Sequence, residues 1–168
     1  SWRDCAIGAR LGSCLANQAR WCISMSGFVL DSRLESDTVF LFDWPLCRVV
    51  LMNDAHYPWC ILIPRVVKPS GDQVTELYHL DDAQRAQLDK ESNVLSTHLM
   101  ERFDGDKLNI AALGNVVAQL HIHHVVRFKI DHAWPAPVWG KFAATPYEVT
   151  RLEALRSGLV DSLAKQFS

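Results

Sequence analysis

The chain has 168 residues, 49% of them hydrophobic and 21% charged, with a formal net charge of -2. That is an ordinary globular composition, long enough to bury a sizeable core without metals or disulfides. The balanced charge, with no dense Lys/Arg run, argues against a nucleic-acid partner, and no apolar stretch reaches the roughly 18 residues of a membrane span.

The first segment differs from the rest. Residues 1–24 scatter Arg3, Arg10 and Arg20 among Ala, Gly and Cys, with neither strand alternation nor the continuous apolar centre of a signal peptide. Regular patterning begins just after Met25. Residues 1–24 therefore read as a poorly patterned, non-native extension ahead of a native start, with a targeting arm as the alternative, and residues 25–168 read as one domain. Five cysteines, an odd number without a CxxC pair, fit a reduced, cytoplasmic setting.

Residues 39–42 and 48–52 are short strands rich in Val, Leu and Phe, separated by the turn material Asp43-Trp44-Pro45. Residues 59–63 are apolar on both faces and stop at Pro64, the pattern of a central strand. A turn at residues 69–72 leads to an amphipathic helix over 82–102, with Asp81 and Gln84 as a capping box and Leu88, Leu95 and Leu99 at helical spacing. Residues 107–112 form a strand, Gly114-Asn115 a turn, and residues 116–128 the longest strand. Residues 134–139 carry two prolines and read as an extended arm with exposed aromatic rings. Thr145 as N-cap, Pro146 as first helical residue and Glu148 then predict a C-terminal helix over 146–165. Strands, helix, strands, helix is the order of an α+β fold with an antiparallel sheet.

The segment 116–128 carries the chemistry. Alternation along a strand puts Val116, Ala118, Leu120, Ile122, Val126 and Phe128 on one, core-directed face, and Gln119, His121, His123 and Arg127 on the other. His124 interrupts the apolar face, as a core imidazole bonded to a carbonyl would. The His121-x-His123 pair has three readings: a solvated strand face, two metal ligands lacking a third of diagnostic spacing, or a nucleophile with a neighbour that handles leaving-group charge.

The run from Gly114 through Gln119, His121 and His123 to Val125 resembles the signature of the histidine-triad (HIT) superfamily, His-φ-His-φ-His-φ-φ with φ apolar and a Gly five residues before the first His. The strand ending Ile63-Pro64-Arg65 and the tail Trp134-Pro135-Ala136-Pro137-Val138-Trp139 extend the likeness over residues 39–140. Three positions depart from the pattern. Gln119 stands at the first histidine, giving the Gln-φ-His-φ-His variant of some bacterial HIT proteins; His124 replaces an apolar residue; and Trp59 stands where a fourth histidine is often found.

The resemblance implies a HIT-like antiparallel sheet with one long helix between its halves and a C-terminal helix. It implies a nucleotide hydrolase or transferase that attacks the α-phosphate of nucleoside phosphoramidates or dinucleoside polyphosphates through a nucleotidyl-histidine. His121 would be the nucleophile, its unprotonated form accessible at a reference pKa of about 6.5. His123 would contact the phosphate or leaving group, and Gln119 would offer a neutral donor. Asn109, Gly114 and Asn115 match positions near the phosphate, and Asn53 the position that meets the ribose; Phe40, Leu51 and Trp59 are candidates for the base pocket. No resident metal or other cofactor is required, beyond a divalent ion brought by the substrate, and the partners implied are a nucleotide and a second copy of the chain. A nucleotide-binding protein with little or no turnover, and a metal-dependent hydrolase using the His-x-His pair, remain the alternatives.

Overall fold

The computed structural model describes residues 27–168, so the 1–24 extension and the start at Met25 lie outside the described residues. A short helix α1 (Ser32–Asp37) leads into strands β1 (Thr38–Asp43), β2 (Cys47–Met52) and β3 (Trp59–Pro64). The long helix α2 (Asp82–Phe103), strands β4 (Lys107–Ala111) and β5 (Ile122–Arg127), and helix α3 (Val149–Leu163) follow. The five strands form one sheet in the order β1-β2-β3-β5-β4, every neighbouring pair antiparallel. This is the α+β architecture expected, with the wholly buried β3 at its centre.

Each face of the sheet has its own core. On one, Leu88, Leu95 and Leu99 of α2 and Leu159 and Leu163 of α3 pack on Val49, Leu51, Cys60, Leu62, Ile122 and Val126. On the other, Val50, Trp59, Ile61, Ile63 and Val125 are covered by Leu34 of α1 and by Ala133 and Val138 of the segment after β5. The predicted capping box is present: the Asp81 carboxylate accepts the Gln84 N–H at 2.8 Å, and the Gln84 side chain accepts the Asp81 N–H at 3.0 Å.

Glu91 joins α2 to the sheet. It is wholly buried, and its carboxylate accepts the backbone N–H groups of Leu46 and Cys47 at 2.8 and 2.9 Å. Those donors belong to the start of β2, where the β1–β2 turn leaves them without a ladder partner; the side-chain amide of Gln87 adds a third bond.

Two expectations are corrected. The segment 116–128 is a strand only from Ile122, because its ladder to β3 stops at Leu62↔Ile122, its ladder to β4 stops at Ala111↔His123, and residues 116–121 have no ladder partner. The Leu120 N–H instead donates to the Val74 carbonyl, and Val116 and Ala118, expected in the core, are exposed. The C-terminal helix begins at Val149 rather than at 146. The loop after β2 captures residues 145–147: Asp54 accepts the Thr145 N–H, Asn53 accepts the Tyr147 N–H, and the Thr145 carbonyl accepts the Ala55 N–H. Glu148 is then the N-cap, its carboxylate accepting from Thr150 and Arg151.

Glu91→Ala should cost about 3 kcal/mol in urea unfolding, because it strands two buried N–H donors at the head of β2. A loss below about 1 kcal/mol would show that water takes over the carboxylate's role.

Candidate active site

The pleat of β5 sorts its side chains. Ile122, His124 and Val126 point toward α2, while His123, Val125 and Arg127 point to the face covered by α1. His124 is a core imidazole: its Nδ1–H donates to the Ile122 carbonyl at 3.1 Å, and its Nε2 lies 2.8 Å from the Ser92 hydroxyl on α2.

Hydrogen-bond partners determine the other two imidazoles. Nδ1 of His121 lies 2.6 Å from the Gln119 carbonyl, which can only accept. In the neutral ring the proton is therefore on Nδ1, which leaves the lone pair on Nε2. In His123 the order is reversed. The indole Nε1–H of Trp59, which can only donate, meets His123 Nδ1 at 3.0 Å, so Nδ1 is bare and the remaining proton sits on Nε2. The two imidazole rings are 4.8 Å apart at 78°. Burial, helped by the neighbouring His121 and His124, pulls the His123 pKa down to about 3, and burial lowers that of His124 to about 4.

His121 and His123 line a cavity of about 370 Å³. Met52 and Ile61 form its apolar side, and Gly114, Asn115 and Val117 contribute the turn that precedes His121. Gly114 has φ +69°, a conformation that glycine adopts without strain. Trp139 closes a further side, its ring 5.5 Å from His123 and 5.9 Å from Trp59. Arg33, Leu34 and Asp37 of α1 complete the lining.

The remaining candidates sit elsewhere. The amide of Gln119 is used at both ends: its oxygen accepts the Asp31 N–H at 2.9 Å and its nitrogen donates to the Val29 carbonyl at 3.0 Å, which anchors the approach to α1. Asn53 holds Tyr147, and the Asn109 oxygen accepts from Arg127 at 2.7 Å; neither lines the cavity. Phe40 is 46% exposed and Leu51 lies in the core beneath α2 and α3, so the apolar lining comes from Leu34, Met52 and Ile61 instead. Gln119, His121, His123 and Arg127 are all buried, and of the four only His121 and His123 line the cavity.

The tail after β5 is not an extended arm. Arg127 is buried, makes a two-point ion pair with Asp131 at 2.8 and 3.0 Å, donates to the Ala136 carbonyl, and lies between the rings of Tyr57 and Trp134. It thereby folds residues 131–136 back on the sheet and carries Trp139 to His123. Sequence reading missed α1 altogether. Arg33 had no local signal, yet it lines the cavity, and its guanidinium makes no ion pair or hydrogen bond among the described residues.

The HIT domain family profile matches residues 33–130. The chain belongs to the HIT family. A histidine-triad protein from Marinobacter aquaeolei is 45% identical, with a TM-score of 0.78 over 84% of this chain and 98% of the other. One from Bradyrhizobium japonicum is 42% identical, with a TM-score of 0.75 over 81% and 98%. More distantly, the Plasmodium falciparum diadenosine triphosphate hydrolase shares the fold at 14% identity and a TM-score of 0.55, over 83% of this chain and 82% of that one. No curated protein matches. In this HIT protein, no three His, Cys, Asp or Glu side chains among the described residues are grouped to hold a metal ion, and no helix there is long and apolar enough to cross a membrane.

Neutral, buried imidazoles have a consequence for stability. In the unfolded chain they regain the ordinary value of about 6.5, so below that pH the unfolded state binds more protons than the folded one. The stability that the neutral rings contribute is complete above about pH 6.5 and is lost as pH falls toward the folded values of about 3 and 4. The thermal midpoint should fall by several degrees between pH 6.5 and 4.5, and less so in His123→Gln. A flat profile, or an equal fall in the variant, would contradict a neutral, buried His123.

Proposed function

We propose that this HIT protein is a nucleotide hydrolase or transferase whose His121 attacks the α-phosphorus of a nucleoside 5′-phosphate derivative. One observation carries the reading: the Gln119 carbonyl accepts the hydrogen bond from Nδ1–H, so the neutral His121 ring keeps its lone pair on Nε2, beside a half-open, mostly apolar cavity. Membership of a family that includes nucleotide-binding proteins and dinucleoside polyphosphate hydrolases supports the nucleotide as substrate.

In the first step Nε2 forms an N–P bond while the bond from phosphorus to the leaving group breaks, its electron pair departing with that group. In the second, water attacks phosphorus, the N–P electrons return to Nε2, and the water's proton passes to solvent. His123 contributes its Nε2–H as a neutral hydrogen-bond donor to a phosphate oxygen. Gly114 and Asn115 bring the turn to the phosphates, and Leu34, Met52 and Ile61 receive the base. Gln119 acts by holding the approach to α1, and Asn53 and Asn109 by holding the walls. The working form is a cytoplasmic homodimer. Binding with little turnover is the second reading, favoured by Trp59 and by the full engagement of the Gln119 amide.

His121→Ala should abolish turnover of adenosine 5′-phosphoramidate and diadenosine triphosphate while leaving AMP affinity within about tenfold. Rapid quench of the wild-type chain should trap an acid-labile, base-stable nucleotidyl adduct on His121. Wild-type turnover in the variant would overturn the covalent mechanism; AMP binding with no adduct and no turnover would favour the second reading.

A further inference from the structure

A second pair of imidazoles lies away from the cavity, where three segments distant in sequence meet. His56 sits on the loop between β2 and β3, His132 in the segment after β5, and Thr145 on the approach to α3. Asp54 organises them from beneath, buried at 5% exposure. Its Oδ1 accepts the His56 N–H at 3.1 Å and the Thr145 N–H at 3.2 Å, and lies 2.7 Å from His56 Nδ1. A carboxylate oxygen accepts, so the neutral His56 ring carries its proton on Nδ1 and its lone pair on Nε2. That nitrogen is 3.4 Å from the hydroxyl of the exposed Thr145. The exposed ring of His132 stands 5.6 Å from that of His56, centre to centre.

This is how a metal-binding histidine is held. An imidazole that ligates a divalent ion through one nitrogen donates its other N–H to a carboxylate or carbonyl, which fixes the ring and raises its basicity. Asp54 does this for His56. Two imidazoles that share a tetrahedral zinc ion at about 2.0–2.1 Å have ring centres roughly 5 Å apart, within a small side-chain adjustment of the separation here. An exposed imidazole on a loop turns over rapidly, so His132 can present either ring nitrogen. We propose that His56 and His132 bind a divalent transition ion of the zinc type, with Asp54 as the partner behind His56 and water completing the coordination. Asp54 faces the far nitrogen of His56 and is not a third ligand, which agrees with the lack of any three-residue ligand group among the described residues. A site with two protein ligands is weaker than a closed four-ligand one, so its occupancy follows the supply of free ion. The ion ties the loop before β3 to the segment that begins at Asp131, the carboxylate paired with Arg127. That segment carries Trp139 to His123, so the ion braces one wall of the cavity without lining it. The site uses neither His121 nor the nucleotide, and its occupancy is independent of the reaction proposed above.

The test titrates zinc chloride into the full, ¹⁵N-histidine-labelled chain near neutral pH and follows each ring nitrogen by proton–nitrogen correlation NMR. Zinc is diamagnetic, so ligation shifts the signals without erasing them. His56 Nε2 and one ring nitrogen of His132 should shift together to saturation, while His56 Nδ1–H persists. Exchange of the Ala133, Trp134 and Ala136 amides should slow about threefold or more on binding. His56→Gln should remove the response at His132, and His132→Gln, an exposed substitution, the response at His56. Asp54→Asn should weaken zinc affinity about tenfold or more, the usual worth of such a partner. Unchanged His56 and His132 signals at saturating zinc, or a His56 response that persists in His132→Gln, would overturn the site. Displacement of the His121 and His123 signals in their place would also overturn it, by assigning the zinc to the cavity. Unslowed exchange at residues 133–136 would overturn the brace on the tail.

Discussion

An indole N–H can donate a hydrogen bond and cannot accept one, and the rest of the site follows from where Trp59 points it. The antiparallel register sets Trp59 opposite Val125 and Ile61 opposite His123, so the indole of β3 and the imidazole of β5 share the face covered by α1. The 3.0 Å contact then leaves His123 with its only proton on Nε2. A histidine at position 59 could reverse its own tautomer to match its neighbour, and could carry a proton. Tryptophan can do neither. The site accordingly combines a nucleophile whose lone pair is freed by a backbone carbonyl with a neighbour held neutral, 4.8 Å away ring to ring.

That arrangement needs rigid support on both sides, and two buried charges supply it. Arg127 spends its guanidinium on Asp131, Asn109 and the Ala136 carbonyl, between the rings of Tyr57 and Trp134. Burying such a pair brings little net stability, because desolvation offsets the attraction. What it provides is position: the segment it folds back carries Trp139 against His123 and Trp59. Glu91, beneath the opposite face, fixes the start of β2, the strand that pairs with β3. On the open side, the amide of Gln119 fastens the approach to α1 and so sets the wall that Arg33 helps to line.

Much of this was legible in the chain itself, where the signals were local. The two-faced apolar run ending at Pro64 identified the central strand, Asp81 and Gln84 marked the start of α2, and period-two alternation placed His121 and His123 apart from Ile122 and Val126. The misreadings came from partners distant in sequence. Residues 116–121 alternate like a strand, but no strand lies beside them. Thr145-Pro146 has the chemistry of a helix start, yet Asp54 and Asn53, some ninety residues earlier, hold it extended. The tail with Trp134 and Trp139 appeared solvent-seeking because nothing in its composition reveals that Arg127 clamps it. Gln119 resembled a substituted catalytic imidazole, while its actual bonds run to Val29 and Asp31. The short helix α1, with one buried leucine, offered no periodicity at all.

The central claim is that the two site imidazoles hold opposite tautomers at neutral pH. Long-range proton–nitrogen correlation NMR on the ¹⁵N-histidine-labelled chain reads this directly. The account predicts that His121 is protonated at Nδ1 with a bare Nε2, and that His123 is protonated at Nε2 with a bare Nδ1 and stays neutral on acidification to pH 5. An Nδ1-protonated His123, or an imidazolium at that position near pH 7, would contradict it.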